Sequence, residues 1–135
     1  MMLNKILGAT AMLGVLAATV PAFADGSTAN NTADGDRNTA YIQQVGYSQD
    51  ATNLQVGNNN RASIIQSGSE NNALNRVDSS DENYQEINQS GTINSATNIA
   101  AGDGDNDQYI TQNNQYDTAT NSAIGFQNLQ TIIQN

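Results

Sequence analysis

The chain has no cysteine, no histidine and no tryptophan, and only one proline, in 135 residues. Without Cys or His, most metal sites and most nucleophile–base pairs are excluded before any motif is sought. Aromatics amount to 5% and charged residues to 13%, too few to fill an ordinary core or to sustain a highly charged disordered tail. Lys+Arg number 4 against 13 Asp+Glu, a net charge of −9, so the cation surplus that phosphate binding needs is missing and no nucleic acid partner is implied. The abundance lies elsewhere, in 21 Asn and 13 Gln. Such a composition leaves amide-rich repeat or aggregation-prone architectures open.

The start reads as an address. Met1 to Lys5 is short and ends on a positive charge, Ile6 to Val20 is apolar, and Ala22-Phe23-Ala24 has the small-x-small form of a signal peptidase site. The apolar run falls short of the roughly 20 residues of a membrane span. Residues 1–24 are therefore expected to be a secretory signal peptide, with Ala22 and Ala24 marking cleavage. From Asp25 the chain keeps Arg37, Arg61 and Arg76 against all 13 acids, 3 − 13 = −10. An exported chain of this size cannot staple itself without cysteine.

An eleven-residue repeat supplies the order instead. Residues 55–66 read Q-x-G-x-x-N-x-A-x-x-x-Q, and the next unit begins on Gln66 with Gly68, Asn71 and Ala73 at the same offsets. Gln44, Gly46 and Ala51 fit backward, then Gly35, Asn38 and Ala40; Gln89, Gly91, Asn94 and Ala96 fit forward. Phase holds throughout if the turns after Val77 and Ala100 each take one extra residue. Because a strand points alternate side chains to one face, every second residue can be read as a column. Odd units give Ile42, Ile64, Ile87, Ile110 and Ile132, each two residues before Gln44, Gln66, Gln89, Gln112 and Gln134. Even units give Asn53, Asn75, Asn98 and Asn121.

Two strands per unit of about 22 residues predict an all-β fold, a β-solenoid or stacked β-arch. Each G-x-x-N segment is a turn, with Gly35, Gly46, Gly57, Gly68 and Gly91 giving positive φ, and Asn38, Asn60, Asn71 and Asn94 either tolerating positive φ or bonding the local backbone. Identical residues then stack at about 4.8 Å. Bulky Ile faces small Ala and Asn, which closes a narrow interior. A buried amide left unpaired costs roughly 1–3 kcal/mol, but in a ladder each Asn or Gln donates to one neighbour and accepts from the other. The boundaries expected are a short N-terminal segment 25–32, coils 33–54, 55–76, 77–99 and 100–122, and a last strand 123–135. Such a block stands roughly 20–24 Å tall by the strand spacing.

The ends of this block carry no evident cap. Residues 25–135 hold no Pro and no Lys, the residues that usually blunt a sheet edge. A head-to-tail contact that does not close makes a filament, so polymerisation into a cross-β fibre is expected. Acids in the turns, such as Asp34, Asp36, Glu70, Asp103 and Asp105, stay solvated and keep the chain soluble. Asp117 is different: the phase turns it inward, where other units have Asn or Gln, so its carboxyl should resist desolvation and assembly should quicken on protonation.

The repeat resembles the curlin repeat of bacterial curli subunits, which are secreted functional amyloids of the biofilm matrix. The resemblance runs from Ala33 to Gln134. It implies Sec export to the periplasm, then passage through a dedicated outer-membrane pore with chaperones, and nucleated polymerisation into cell-surface fibres with itself and other curlin subunits. It implies no cofactor, no small-molecule substrate and no catalytic or metal-binding residue. The chain departs from the family in having mostly Asn at the first strand position, and Ala at 100 and 123 in place of the ladder Gln. Its acidic balance and a last strand without Lys or Arg look more like the major fibre subunit. The repeat motif in both halves of the early coils looks more like the minor, nucleating one, and of the two the major fibre subunit is the reading favoured.

Two other readings compete. Asp103-Gly104-Asp105-Asn106-Asp107 begins like a calcium loop, but Gln108 and Asn114 stand where such a loop needs Gly and Glu. A monomeric surface- or ice-binding β-solenoid is the stronger rival, since Thr52, Thr97 and Thr120 form an outward column, interrupted by Leu74.

Overall fold

The computed structural model describes residues 10–12, 22–78 and 81–135. Its strands are β1 (Thr10–Met12), β2 (Ala22–Asp25), β3 (Thr28–Asp34), β4 (Thr39–Tyr47), β5 (Asp50–Val56), β6 (Arg61–Ser69), β7 (Asn72–Asp78), β8 (Tyr84–Thr92), β9 (Ser95–Ala101), β10 (Asn106–Gln112), β11 (Thr118–Ile124) and β12 (Asn128–Gln134). Odd strands form one parallel sheet in the order β1-β3-β5-β7-β9-β11, and even strands form the other, β12-β10-β8-β6-β4-β2. The chain thus winds as a β-solenoid with two strands per coil. Most of the expected signal peptide lies outside the described residues; its Ala22 and Ala24 fall in β2, which pairs with β4.

Register follows the columns read from the sequence. Ile42 pairs with Ile64, Ile64 with Ile87, Ile87 with Ile110 and Ile110 with Ile132. Asn53, Asn75, Asn98 and Asn121 align in the facing sheet. Alternation then sorts the faces: in β5 and β9 every second residue is buried. Ile42, Ile64, Ile87 and Ile110 are buried against Ala51, Ala73, Ala96 and Ala119, large against small across an interior one side chain deep. Each buried Ile contributes about 1.5–3 kcal/mol.

The stack begins earlier than the sequence reading places it. The segment 25–32, expected as a short polar N-terminal piece, supplies most of β3, with Ala29, Asn31 and Ala33 in register with Ala51, Asn53 and Gln55. Five two-strand coils result, β3–β4 to β11–β12, rather than four and a strand. The repeat is masked there because Ala33 stands at the position of Gln55 and Ala24 at that of Gly46; the alternation survives while the marker residues do not.

Five of the described turns share one pattern of two left-handed residues. Gly35, Gly46, Gly57, Gly68 and Gly91 have φ of 109°, 132°, 118°, 104° and 117°. Two residues after each comes a second positive φ, at Arg37, Ser48, Asn59, Glu70 and Ile93, and only then the Asn or Gln. That Asn or Gln is therefore not itself left-handed; its side chain ties the turn together.

The departures from the repeat compensate one another across the interior. Where the odd sheet has Gln55, the even sheet has Ala40 and Ala62; where the odd sheet has Val77, Ala100 and Ala123, the even sheet has Gln85, Gln108 and Gln130. Gln108 Nε2 donates to Ile99 O, reaching across into the space beside Ala100. From the β5–β6 coil onward, one long side chain per level fills the gap, from either side. Ala100→Gln alone should overpack by about 1–3 kcal/mol, and Gln108→Ala alone should leave a cavity. The double variant should cost at least about 1 kcal/mol less than the sum of the two, read from guanidinium midpoints of the assembled chain.

Candidate self-assembly surface: the stacked amide ladders

The interior is polar yet nearly satisfied, because register brings like amides together. In the even sheet Gln44 Nε2 donates to Gln66 Oε1 at 3.0 Å, and Gln66, Gln89 and Gln112 each donate to the next Gln at 2.8 Å, ending on Gln134. The second hydrogen of each amide goes to a backbone carbonyl of the odd sheet: Thr28, Asp50, Asn72, Ser95 and Thr118 in turn. A second Gln ladder runs from Gln85 through Gln108 to Gln130.

The Asn column behaves likewise from the other side. Asn53, Asn75, Asn98 and Asn121 donate Nδ2 to the Oδ1 of Asn31, Asn53, Asn75 and Asn98, at 2.9, 3.0, 3.0 and 3.1 Å. Their remaining hydrogens reach the carbonyls of Tyr41, Ser63, Glu86 and Tyr109 in the even sheet. Every one of these residues but Asn31, whose Nδ2 has no partner, thus stitches its own sheet along the stack and crosses to the opposite one.

A third set sits at the turns. Asn71 Nδ2 donates to Ser67 O and Gly91 O, and Asn94 Nδ2 to Ser90 O and Asn114 O, clamping the turn of one coil to the turn of the next. Asn38 does the same with Asp34 O and Gly57 O. Asn60 Oδ1 accepts from the backbone N–H and Nδ2 of Asn83, which continues into Asn106 and Asn128. The glycines let these turns nest: a Cβ on Gly35, Gly46, Gly68 or Gly91 would lie 2.1, 1.7, 2.0 or 2.1 Å from a carbonyl oxygen of the next coil.

Asp117 continues the Asn71–Asn94 column. Its backbone N–H donates to Asn94 Oδ1 at 3.0 Å, while its Oδ2 is buried with no hydrogen-bond partner. On the outer face of the even sheet, Arg61 lies 5.4 Å from the Tyr84 ring and Tyr84 packs on Tyr109. Burial, then the hydrogen bond that its hydroxyl donates to Glu86 Oε2, pushes Tyr84 up to about 12.

The amides and isoleucines named from the sequence therefore lie in continuous columns, and those of the last coil, Asn121, Ile132 and Gln134, stand on the outer strands β11 and β12. Sequence reasoning left Asn31 out of its column, and nothing in the types of Arg37, Ser48, Glu70 or Ile93 signals their positive φ.

Residues 35–68, from the first turn glycine through β4, β5 and most of β6, match the family model of the curlin associated repeat. Over those residues the chain is similar to a curlin repeat. No curated protein and no solved structure matches it. The same strand register continues through β7 to β12, outside the matched residues, where the extra turn residues and the Gln exchange break the linear motif and leave the columns intact.

Proposed function

We propose that the chain is exported by residues 1–24, cleaved after Ala24, and polymerises outside the cell into curli-like amyloid fibres that serve adhesion and the biofilm matrix. It acts as the fibre body rather than the minor nucleator. The observation that carries this reading is the pair of amide ladders, Gln44 to Gln134 and Asn31 to Asn121, that run unbroken to β12 and β11 and there offer a further rung the same chemistry as the interior. Edge strands of this kind pair with other chains unless blunted, and stacked identical amides are what cross-β interfaces use. The −10 charge of residues 25–135 and the lack of Lys and Arg in β12 favour the fibre body. Partners are further copies, other curlin subunits, and an export pore with its chaperones.

The test is thioflavin T fluorescence of residues 25–135 over time, with and without preformed seeds, and diffraction of the product. A lag that seeds shorten, with reflections near 4.8 and 10 Å, is expected. A chain that stays monomeric and dye-silent would instead make the surface-binding solenoid the correct reading.

A further inference from the structure

The outer face of the even sheet carries a cluster that the ladders do not use. Arg61, Tyr84 and Asp107 follow one another in one outward column, and Ser63, Glu86 and Tyr109 in the next. Tyr84 therefore lies diagonally from Tyr109 on the neighbouring strands β8 and β10. Their ring centroids stand 5.4 Å apart, with the planes inclined at 36°. The Tyr84 hydroxyl donates to Glu86 Oε2 at 2.6 Å, and Asn88 Nδ2 donates to Glu86 Oε1 at 2.7 Å, which fixes the carboxylate. The Arg61 guanidinium lies over the Tyr84 ring. Tyr84, Glu86, Asn88 and Tyr109 are all half-buried, on the flank of the solenoid rather than at either end.

A phenol that loses an electron becomes a strong acid, so its oxidation is easiest where a base already holds the proton. Burial, then the bond to Glu86, holds Tyr84 up to about 12, and burial, then the Asp107 charge, raises Tyr109. Both are thus neutral phenols at neutral pH, and the cation over the Tyr84 ring opposes any oxidation that leaves a positive charge there. Glu86 Oε2 removes that obstacle, because the proton can leave with the electron. The other three tyrosines lack this arrangement. Tyr41 donates to the Gln43 amide oxygen, which is no base; Tyr47 and Tyr116 are exposed, and among the described residues no other pair of rings is in contact.

We propose that Tyr84 and Tyr109 form an oxidative cross-linking site, at which a one-electron oxidant of the peroxidase and hydrogen peroxide class joins the two rings as a dityrosine. Each phenol loses one electron to the oxidant and its hydroxyl proton, that of Tyr84 to Glu86 Oε2 and that of Tyr109 to water. The two phenoxyl radicals couple through ring carbons ortho to the oxygens, forming one C–C bond. The hydrogen on each joined carbon then moves to the oxygen, which restores both phenols. One hydrogen peroxide takes up the two electrons and two protons and leaves as two waters. The product ties β8 to β10, so the coil between them cannot leave the stack without breaking a covalent bond. Because the pair lies within one chain and on its flank, the site is the same in a single solenoid and in a fibre.

The test mixes ordinary and nitrogen-15-labelled chains, folded as fibre or as monomer, and treats them with a haem peroxidase and limiting hydrogen peroxide. A protease that cuts at acidic residues then separates the two tyrosines, since Asp103, Asp105 and Asp107 lie between them. Mass spectrometry should find the Tyr84 and Tyr109 peptides joined, two hydrogens lighter than their sum, and always with the same label on both. Links spread equally over Tyr41, Tyr47 and Tyr116, links between differently labelled chains, or no link at all overturn the proposal. Glu86→Gln keeps an acceptor for the Tyr84 hydroxyl but removes the base. It should slow the Tyr84–Tyr109 link at least about tenfold and leave the oxidation of Tyr47 and Tyr116 unchanged. An unslowed link, or equal slowing at all tyrosines, overturns the role of Glu86 as proton acceptor.

Discussion

Gly68→Ala should prevent assembly. The added methyl would lie 2.0 Å from Gly91 O and 2.9 Å from its carbonyl carbon, at a φ of +104°. The obstacle is backbone, not a side chain that could swing aside, and moving it would break the hydrogen bonds from Asn71 Nδ2 to Ser67 O and Gly91 O. A strained φ alone costs about 1–3 kcal/mol, and the clash adds to that. Gly26→Ala separates the two effects, since its φ is +71° but its nearest contact would be Ser48 Oγ at 3.6 Å. Seeded thioflavin T growth should be lost for Gly68→Ala and only weakened for Gly26→Ala. Equal behaviour would mean that nesting of the turns does not limit the stack.

Asn75→Leu should be the most damaging change inside the interior that leaves the backbone unstrained. It is nearly isosteric, so volume is kept while three bonds go: Asn75 Nδ2 to Asn53 Oδ1, Asn75 Nδ2 to Ser63 O, and Asn98 Nδ2 to Asn75 Oδ1. Each orphaned buried group costs about 1–3 kcal/mol, so a loss of about 3–9 kcal/mol is expected in the guanidinium stability of fibres. Ile87→Ala, which opens a cavity worth about 2–5 kcal/mol, is the comparison. If Asn75→Leu costs far less than Ile87→Ala, packing rather than amide bonding holds the coils together.

Much of this was legible in the chain because a parallel in-register stack writes itself into sequence directly. A residue that must meet its own kind recurs at a fixed offset, so Ile42 to Ile132 and Asn53 to Asn121 could be aligned by counting. The tolerance for one extra residue after Val77 and Ala100 follows from turns lying outside the ladders. What counting could not reach depends on partners rather than periods. Asn31 was hidden because its strand has the alternation without the Gln and Gly that mark other units. The exchange of Gln55 for Gln85, Gln108 and Gln130 looks like decay of the motif until the two sheets face each other. Backbone handedness at Ile93 and Tyr116, with φ of 60° and 64°, is imposed by the nesting of neighbouring coils, against the preference of both side chains.

The reversed Gln and Asn ladders have one more physical consequence. A column of amides all pointing one way adds its dipoles, as peptide units do along a helix, and that sum grows with every rung. Here each coil carries Gln44-type amides aimed one way and Asn53-type amides aimed the other, so their axial moments largely cancel within the coil. Adding coils therefore builds up no side-chain field along the axis, and a long filament meets no electrostatic resistance from this source that a short one does not.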